Sequence, residues 1–324
     1  MKKLFLVLLL LAFGFQACQN ETVEPLARES SSSGAPVPKI ATGVSYELHN
    51  WMSALNGNLK LSELSIPGTH DSGARYDHPL LSGSAKCQDL TIGEQLEAGT
   101  RFLDIRCRHI GDAFTIHHGV VYQHMNFTDV LNYCFNFLNA NPTESIVMSI
   151  KEEHEPENNT RSFEATLESY LQANPDKWYL AENVPALEQV RGKIVLLRRF
   201  SANNTPKGIN ATAWQDNTTF EINTPQALLK VQDVYQVPDN NQKWNSIESL
   251  LNEAKTGNAD RLYINFTSGY KPGWFGIPNI PTVSDAINPK VSNYFSTPAK
   301  GRFGIIPMDF AEASRNARIV EANF

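Results

Sequence analysis

Thr100-Arg101-Phe102-Leu103-Asp104-Ile105-Arg106 reads as a strand with two different faces. Side chains alternate across an extended chain with a period of two. Phe102, Asp104 and Arg106 therefore share one face, while Leu103, Ile105 and the following Cys107 take the other. Ser145–Lys151 repeats the construction: Ser149, Lys151 and then Glu153 oppose Ile146, Met148 and Ile150. In Phe303–Asp309, Pro307 and Asp309 oppose Ile306, Met308 and Phe310, and in Arg261–Phe266 Tyr263, Asn265 and then Thr267 oppose Leu262, Ile264 and Phe266. Leu61–Ile66, Ala113–His118, Lys193–Arg199 and Leu228–Asp233 bring such β-rich runs to eight.

The intervals between several runs are long enough for helices. Phe127–Ala140 (capped at Asn126 or Thr128), Thr160–Ala173 and Ser246–Thr256 carry helical patterns. Strands alternating with helices predict parallel βα units, and eight of them predict a closed but irregular (β/α)8 barrel of the TIM type. Residues 201–226 and 269–290 read as loops, so some helices should be missing. The apolar strand faces are expected to pack on the outer helices. Polar and ionisable residues gather where the runs end: His70, Asp104, Arg106, His118, Lys151, Glu153, Arg199, Asp233, Tyr235 and Asp309. The rim at the C-terminal ends of the strands is where such barrels place their active sites.

The remaining length, about 280 residues, fits one such domain, 44–324, and 41% hydrophobic residues suffice for a large core. A net charge of −6 argues against nucleic acid as a partner. The N-terminus, Met1-Lys2-Lys3 followed by an apolar run from Leu4 to Phe15, reads as a secretory leader over residues 1–17. The run is too short for a bilayer, which needs ~20 apolar residues. It ends in Phe15-Gln16-Ala17-Cys18, which resembles the lipobox of bacterial lipoproteins, with Phe15 where Leu is usual. Cys18 is the expected lipidation site; ordinary cleavage nearby with a soluble product is the other outcome. Residues 18–43, rich in Ser, Glu, Pro and Ala, form the expected flexible tether. Cys87, Cys107 and Cys134 then remain, an odd number at scattered positions that is neither a disulfide framework nor a zinc spacing.

His70 and His118 stand out among the eight histidines. Two positioned imidazoles serve as base and acid across a phosphodiester, because imidazole titrates near neutral pH. Charge developing on phosphate oxygens needs a cation, and Arg106 is a planar multi-donor candidate. Asp309 is suited to orient a histidine. A rim that mixes acids with Arg106, Lys151 and Arg199 disfavours a tightly bound divalent ion, so no metal or other cofactor is expected.

These residues carry a resemblance to the bacterial phosphatidylinositol-specific phospholipases C. Leu64-Ser65-Ile66-Pro67-Gly68-Thr69-His70-Asp71-Ser72, Arg101–Arg106 and Ile116-His117-His118-Gly119 resemble that family's catalytic signatures in order. Met148–Glu153, Arg191–Arg199, Val231–Tyr235 and Leu262–Ser268 extend the likeness from about residue 50 to the C-terminus. The resemblance implies His70 as general base on the inositol 2-hydroxyl, paired with Asp309, and His118 as general acid. It implies Arg106 on the phosphate, with Asp71 and Asp104 supporting the acid and phosphate side. Lys151, Glu153, Arg199 and Asp233 would bind inositol hydroxyls, and Tyr235 would stack on the ring. The implied products are diacylglycerol and inositol 1,2-cyclic phosphate. Calcium-dependent relatives place an acidic metal ligand where this chain has Arg106, so the metal-independent branch is expected.

The expected partner is phosphatidylinositol or a glycosylphosphatidylinositol anchor at a membrane interface, met by a monomer held by lipid in the cell envelope. Trp274 and Phe275 are candidates for inserting into the interface or for packing on the barrel, while Trp51 is expected to pack. His117 is expected to be structural, and Cys107 to point away from the interior. A phosphodiesterase for another head group, or an inactive inositol-lipid-binding lipoprotein, is the alternative.

Overall fold

In a computed structural model, which describes residues 45–273, 276–297 and 300–324, one curled sheet holds twelve strands. In chain order these are β1 (Ser65–Thr69), β2 (Phe102–Ile110), β3 (Ala113–His118), β4 (Val121–Asn126), β5 (Ile146–Glu152), β6 (Trp178–Tyr179), β7 (Ile194–Arg198), β8 (Ile209–Asn210), β9 (Thr219–Asn223), β10 (Leu228–Gln232) and β11 (Arg261–Asn265). A separate ribbon pairs β12 (Lys271–Pro272) with β13 (Pro278–Asn279), and β14 (Gly304–Met308) completes the sheet. The leader, the tether with Cys18, and Trp274 and Phe275 lie outside the described residues.

The sheet follows the order β6-β7-β5-β2-β1-β14-β11-β10-β9. Every pair along it is parallel except the last, where β9 runs antiparallel to β10. The barrel is irregular as expected, but among the described residues no pairing joins β9 to β6 or β8, so the expected closed ring is an open one. Ala113–His118 is not a barrel strand. Gly111 and Asp112 both hold positive φ (56° and 60°), which makes a two-residue hairpin turn, and β3 folds back antiparallel on β2 and then pairs with β4. The first strand begins four residues later than expected, because Leu61–Glu63 is a single 3₁₀ turn. Residues 269–290 are not all loop: a helix runs from Pro281 to Tyr294. Pro281 opens that helix, where a missing N–H costs nothing, while Pro289 inside it masks the helical signal in the sequence.

The period of two sorts the strands as expected around half of the barrel. Leu103, Ile105 and Cys107, with Ile146, Met148 and Ile150, pack outward against the helices Phe127–Ala140 and Phe163–Ala173. Ile306 and Met308 pack outward against the helices Asn240–Thr256, Pro281–Tyr294 and Ala313–Glu321. On β10 and β11 the expectation reverses. Leu229, Val231, Leu262, Ile264 and Phe266 turn inward and join Ile66, Phe102, Val147 and Ile305. Lys230 and Asn265 turn outward and bond helix 240–256, through Glu253 and the Ile247 carbonyl. A barrel interior must be filled by side chains, and these two strands supply the apolar volume that the polar ends of β2 and β5 do not.

Beneath the barrel, the Arg101 guanidinium and the Glu144 carboxylate are both fully buried and 2.8 Å apart. Arg101 also donates to the carbonyls of Leu96, Thr100 and His49. Trp51 is buried, as expected, and donates its indole N–H to the Gly99 carbonyl. Because Glu144→Ala would strand the Arg101 charge in a dry site, it is expected to lower the unfolding free energy by roughly 3–5 kcal/mol in urea titration. A loss under about 1 kcal/mol would mean that the carbonyl bonds alone satisfy Arg101.

Candidate active site

His70 follows directly on β1, where the chain turns sharply: Asp71 has φ 37°. The turn is knitted to its neighbours by the Ser72 N–H on the Asp104 carbonyl and the Asp104 N–H on Ser72 Oγ. Gln88 clamps the ends of β1 and β14 together. Its amide donates to the carbonyls of His70 and Met308, at 2.7 and 2.8 Å. Asp309, one residue past β14, is thereby placed with Oδ1 2.7 Å from His70 Nδ1. Its other oxygen accepts from the Gly269 N–H.

Arg106 Nη2 lies 2.7 Å from His70 Nε2. A guanidinium can only donate there, so this His70 is neutral, with its proton on Nδ1 facing Asp309. Burial depresses the imidazole, but Asp309 outweighs it and the net shift is upward. Arg106 Nε is 3.3 Å from Asp104 and 3.7 Å from Asp71. Burial works against both charges, yet Asp104 and Asp71 keep Arg106 firmly protonated. Arg106 and Arg199 in turn hold the Asp104 carboxyl far below the usual range. Asp71 differs: it is fully buried, neither oxygen has a hydrogen-bond donor, and burial raises its pKa despite Arg106 and His118 nearby.

His118 ends β3, so the hairpin rather than a barrel strand carries it. Its Nδ1 is 2.6 Å from the Ala85 carbonyl and 3.9 Å from Asp71 Oδ2. Lys151 and Glu153 pair at 2.9 Å. Although burial works against it, Arg106 and Lys151 hold Glu153 ionised, with its pKa lowered to about 2. Arg199 Nη1 reaches Asp104 at 3.4 Å, and Arg199 lies 3.9 Å from Asp233.

These groups surround a cavity of about 440 Å³. It is lined by His70, Arg106, His118, Lys151, Glu153, Arg199, Asp233 and Tyr235, with Asp71, Asp104 and Asp309 beneath through their partners. Every barrel residue singled out in the sequence is thus at one place. Among the lining residues not foreseen, three touch the foreseen ones directly. Trp214 stacks under the Arg199 guanidinium at 3.8 Å and donates to Asp233 at 3.0 Å. Asp216 accepts from the Tyr235 hydroxyl at 2.7 Å, and Tyr270 packs beside that ring. The stretch 201–226 is not all loop, since it holds β8 and β9, but Trp214 and Asp216 lie on the irregular backbone between those strands, where no periodicity places a side chain. His117 is buried against Tyr122 and Cys107 lies in the outer core, as expected. His109 is buried and bonded to Thr166, away from the cavity.

Fold and site define a class: an open (β/α) barrel whose rim sets two histidines, each beside a buried carboxylate, around a guanidinium. The profile of the phosphatidylinositol-specific phospholipase C X domain matches residues 64–200. A 1-phosphatidylinositol phosphodiesterase of Staphylococcus aureus (strain Newman) is 36% identical over 276 residues, 81% of this chain and 88% of that one. One of Listeria monocytogenes is 29% identical over 282 residues, 84% of each chain. Among solved structures, a mutant phosphatidylinositol-specific phospholipase C from S. aureus matches with TM-score 0.78 and 33% identity, covering 86% of this chain and 99% of that one. The L. monocytogenes enzyme matches with TM-score 0.71 and 26% identity, covering 86% and 100%. The chain belongs to the family of bacterial phosphatidylinositol-specific phospholipases C.

Asp71→Asn is expected to stabilise the fold by roughly 1–3 kcal/mol at neutral pH, because burial of this carboxylate, which no hydrogen-bond donor reaches, outweighs the attraction of Arg106 and His118. A raised carboxyl pKa means that the wild type loses stability as pH climbs from the unfolded-state value towards the folded one. The variant should lack that decline in denaturant titrations across the acidic range; an equal decline in both would refute the assignment.

Proposed function

We propose that the chain cleaves phosphatidylinositol by intramolecular attack of the inositol 2-hydroxyl on phosphorus, releasing diacylglycerol and inositol 1,2-cyclic phosphate. The observation that carries this reading is the pairing of two histidines, each beside a buried carboxylate, on either side of Arg106. His70 Nε2 is the basic nitrogen, and Nδ1–H on Asp309 fixes the tautomer. Arg106 blocks that nitrogen at 2.7 Å until phosphate oxygens draw the guanidinium away. His118 then delivers a proton to the leaving glycerol oxygen. Arg199, Asp233, Lys151 and Glu153 offer the donors and acceptors for ring hydroxyls, and Tyr235 offers a face for the ring.

The metal-independent reading rests on Arg106. Its guanidinium already bonds Asp104 at 3.3 Å, so that carboxylate has little excess charge to offer a hard cation. In the same reading the chain is a monomer acting at a lipid interface, anchored in the cell envelope through a lipidated Cys18 and a tether over residues 18–43. Cys18→Ser is expected to move the protein from the membrane to the soluble fraction; retention in the membrane would refute lipidation.

Phosphatidylinositol in detergent micelles with excess EDTA should give a cyclic inositol phosphate signal in phosphorus NMR. Turnover only with calcium would overturn the reading of Arg106. His70→Ala and His118→Ala should each lose ~10²–10⁴ in rate, and Asp309→Asn less. Losing Asp309 leaves burial and Arg106, both of which depress the His70 imidazole. The acidic limb of kcat/KM for Asp309→Asn should therefore move to lower pH; an unmoved limb would assign the base elsewhere.

A further inference from the structure

Cys87 has no part in this acid–base scheme, yet its thiol sits between both histidine–carboxylate pairs. Its sulfur is 3.9 Å from His118 Nδ1. Donor atoms of Asp71, Cys87 and His118 lie within 4.8 Å of one another, as do those of His70, Cys87 and Asp309. The two groups differ in what is already taken. Both Asp309 oxygens have partners, His70 Nδ1 and the Gly269 N–H. Neither oxygen of the fully buried Asp71 accepts a hydrogen bond among the described residues; its Oδ2 lies 3.7 Å from Arg106 Nε and 3.9 Å from His118 Nδ1. A buried carboxylate that no hydrogen-bond donor reaches calls for an explanation. Thiolate, imidazole and carboxylate together are a tetrahedral zinc donor set. Zn–S of ~2.3 Å and Zn–N or Zn–O of ~2.0–2.1 Å imply ligand-to-ligand edges of roughly 3.3–3.6 Å, a few tenths of an ångström inside the two 3.9 Å separations that His118 Nδ1 makes to Cys87 and to Asp71.

We propose that Asp71, Cys87 and His118 form an inhibitory site for a thiophilic divalent cation such as Zn²⁺ or Cd²⁺, with solvent as the fourth ligand. On binding, the Cys87 thiol gives its proton to solvent. The ring of His118 leaves the Ala85 carbonyl, to which Nδ1–H donates, and gives up the Nδ1 proton to solvent, so that the neutral ring carries its proton on Nε2 alone. A cation on Nδ1 forbids the doubly protonated imidazole, so His118 can no longer deliver a proton. Without a cation, burial keeps the thiol pKa well above its ordinary value, whereas a coordinating thiol is deprotonated outright. Cys107 and Cys134 belong to no such group among the described residues.

Co²⁺ and Zn²⁺ added to the full chain test the site. The wild type should show a sulfur-to-cobalt charge-transfer band in the near ultraviolet that Zn²⁺ displaces, and Cys87→Ala should lack it. Zn²⁺ should inhibit phosphatidylinositol cleavage reversibly with EDTA. Cys87→Ala should keep its basal rate while the half-inhibitory Zn²⁺ concentration rises more than about tenfold. The inhibition arm rests on the reading of His118 as the acid, but the cobalt spectrum needs no turnover and no variant. Absence of the band in the wild type, or equal inhibition of both proteins, overturns the proposal.

Discussion

A cation in a nearly dry rim constrains everything around it. Arg106 is largely withdrawn from water, and an uncompensated buried charge is among the most destabilising features that a fold can carry. Asp104 and Asp71 meet it from below and Glu153 shares its field, while Asp104 in turn holds Arg199, and Arg199 approaches Asp233. The network links the ends of β1, β2, β5, β7 and β10, so the strand register that places one partner places the next. Asp104 opposite Ser149, and Arg106 opposite Lys151, are consequences of one parallel pairing. A slip of one residue would turn that whole face outward.

The same constraint explains where the barrel is irregular. The polar inward ends of β2 and β5 leave apolar volume unfilled lower down, and β10 and β11 fill it by turning Leu229, Val231, Leu262 and Ile264 inward. Lys230 and Asn265 then face helix 240–256, where Glu253 and the Ile247 carbonyl satisfy them. His118 is held differently from His70. It stands on a hairpin against a backbone carbonyl, whereas Gln88 clamps the His70 side to two strands. His118 is therefore the less tightly built of the two histidines, and Asp71 and Cys87 lie beside it.

Much of the site was legible because strand alternation is strict. Asp104, Arg106, Lys151, Glu153, Arg199 and Asp309 reach the cavity region by parity alone. The hairpin was also written in the chain, in Gly111-Asp112, but the eight-run count absorbed β3 into the barrel and with it the expectation of closure. Pro289 concealed the helix Pro281–Tyr294 because an interior proline breaks the helical pattern. Trp214, Asp216 and Gln88 left no periodic trace, since each acts from irregular backbone.

What the sequence by itself determined is local: which faces are polar, which runs are strands, and which residue types stand at their ends. A period of two needs no knowledge of neighbours. Only the tertiary structure decided which face meets the interior on β10 and β11, because interior volume is shared among all strands. It alone decided that Asp71 is buried without a donor while Asp309 is fully bonded. It also brought the Cys87 thiol to both histidines, across distances that no spacing along the chain encodes.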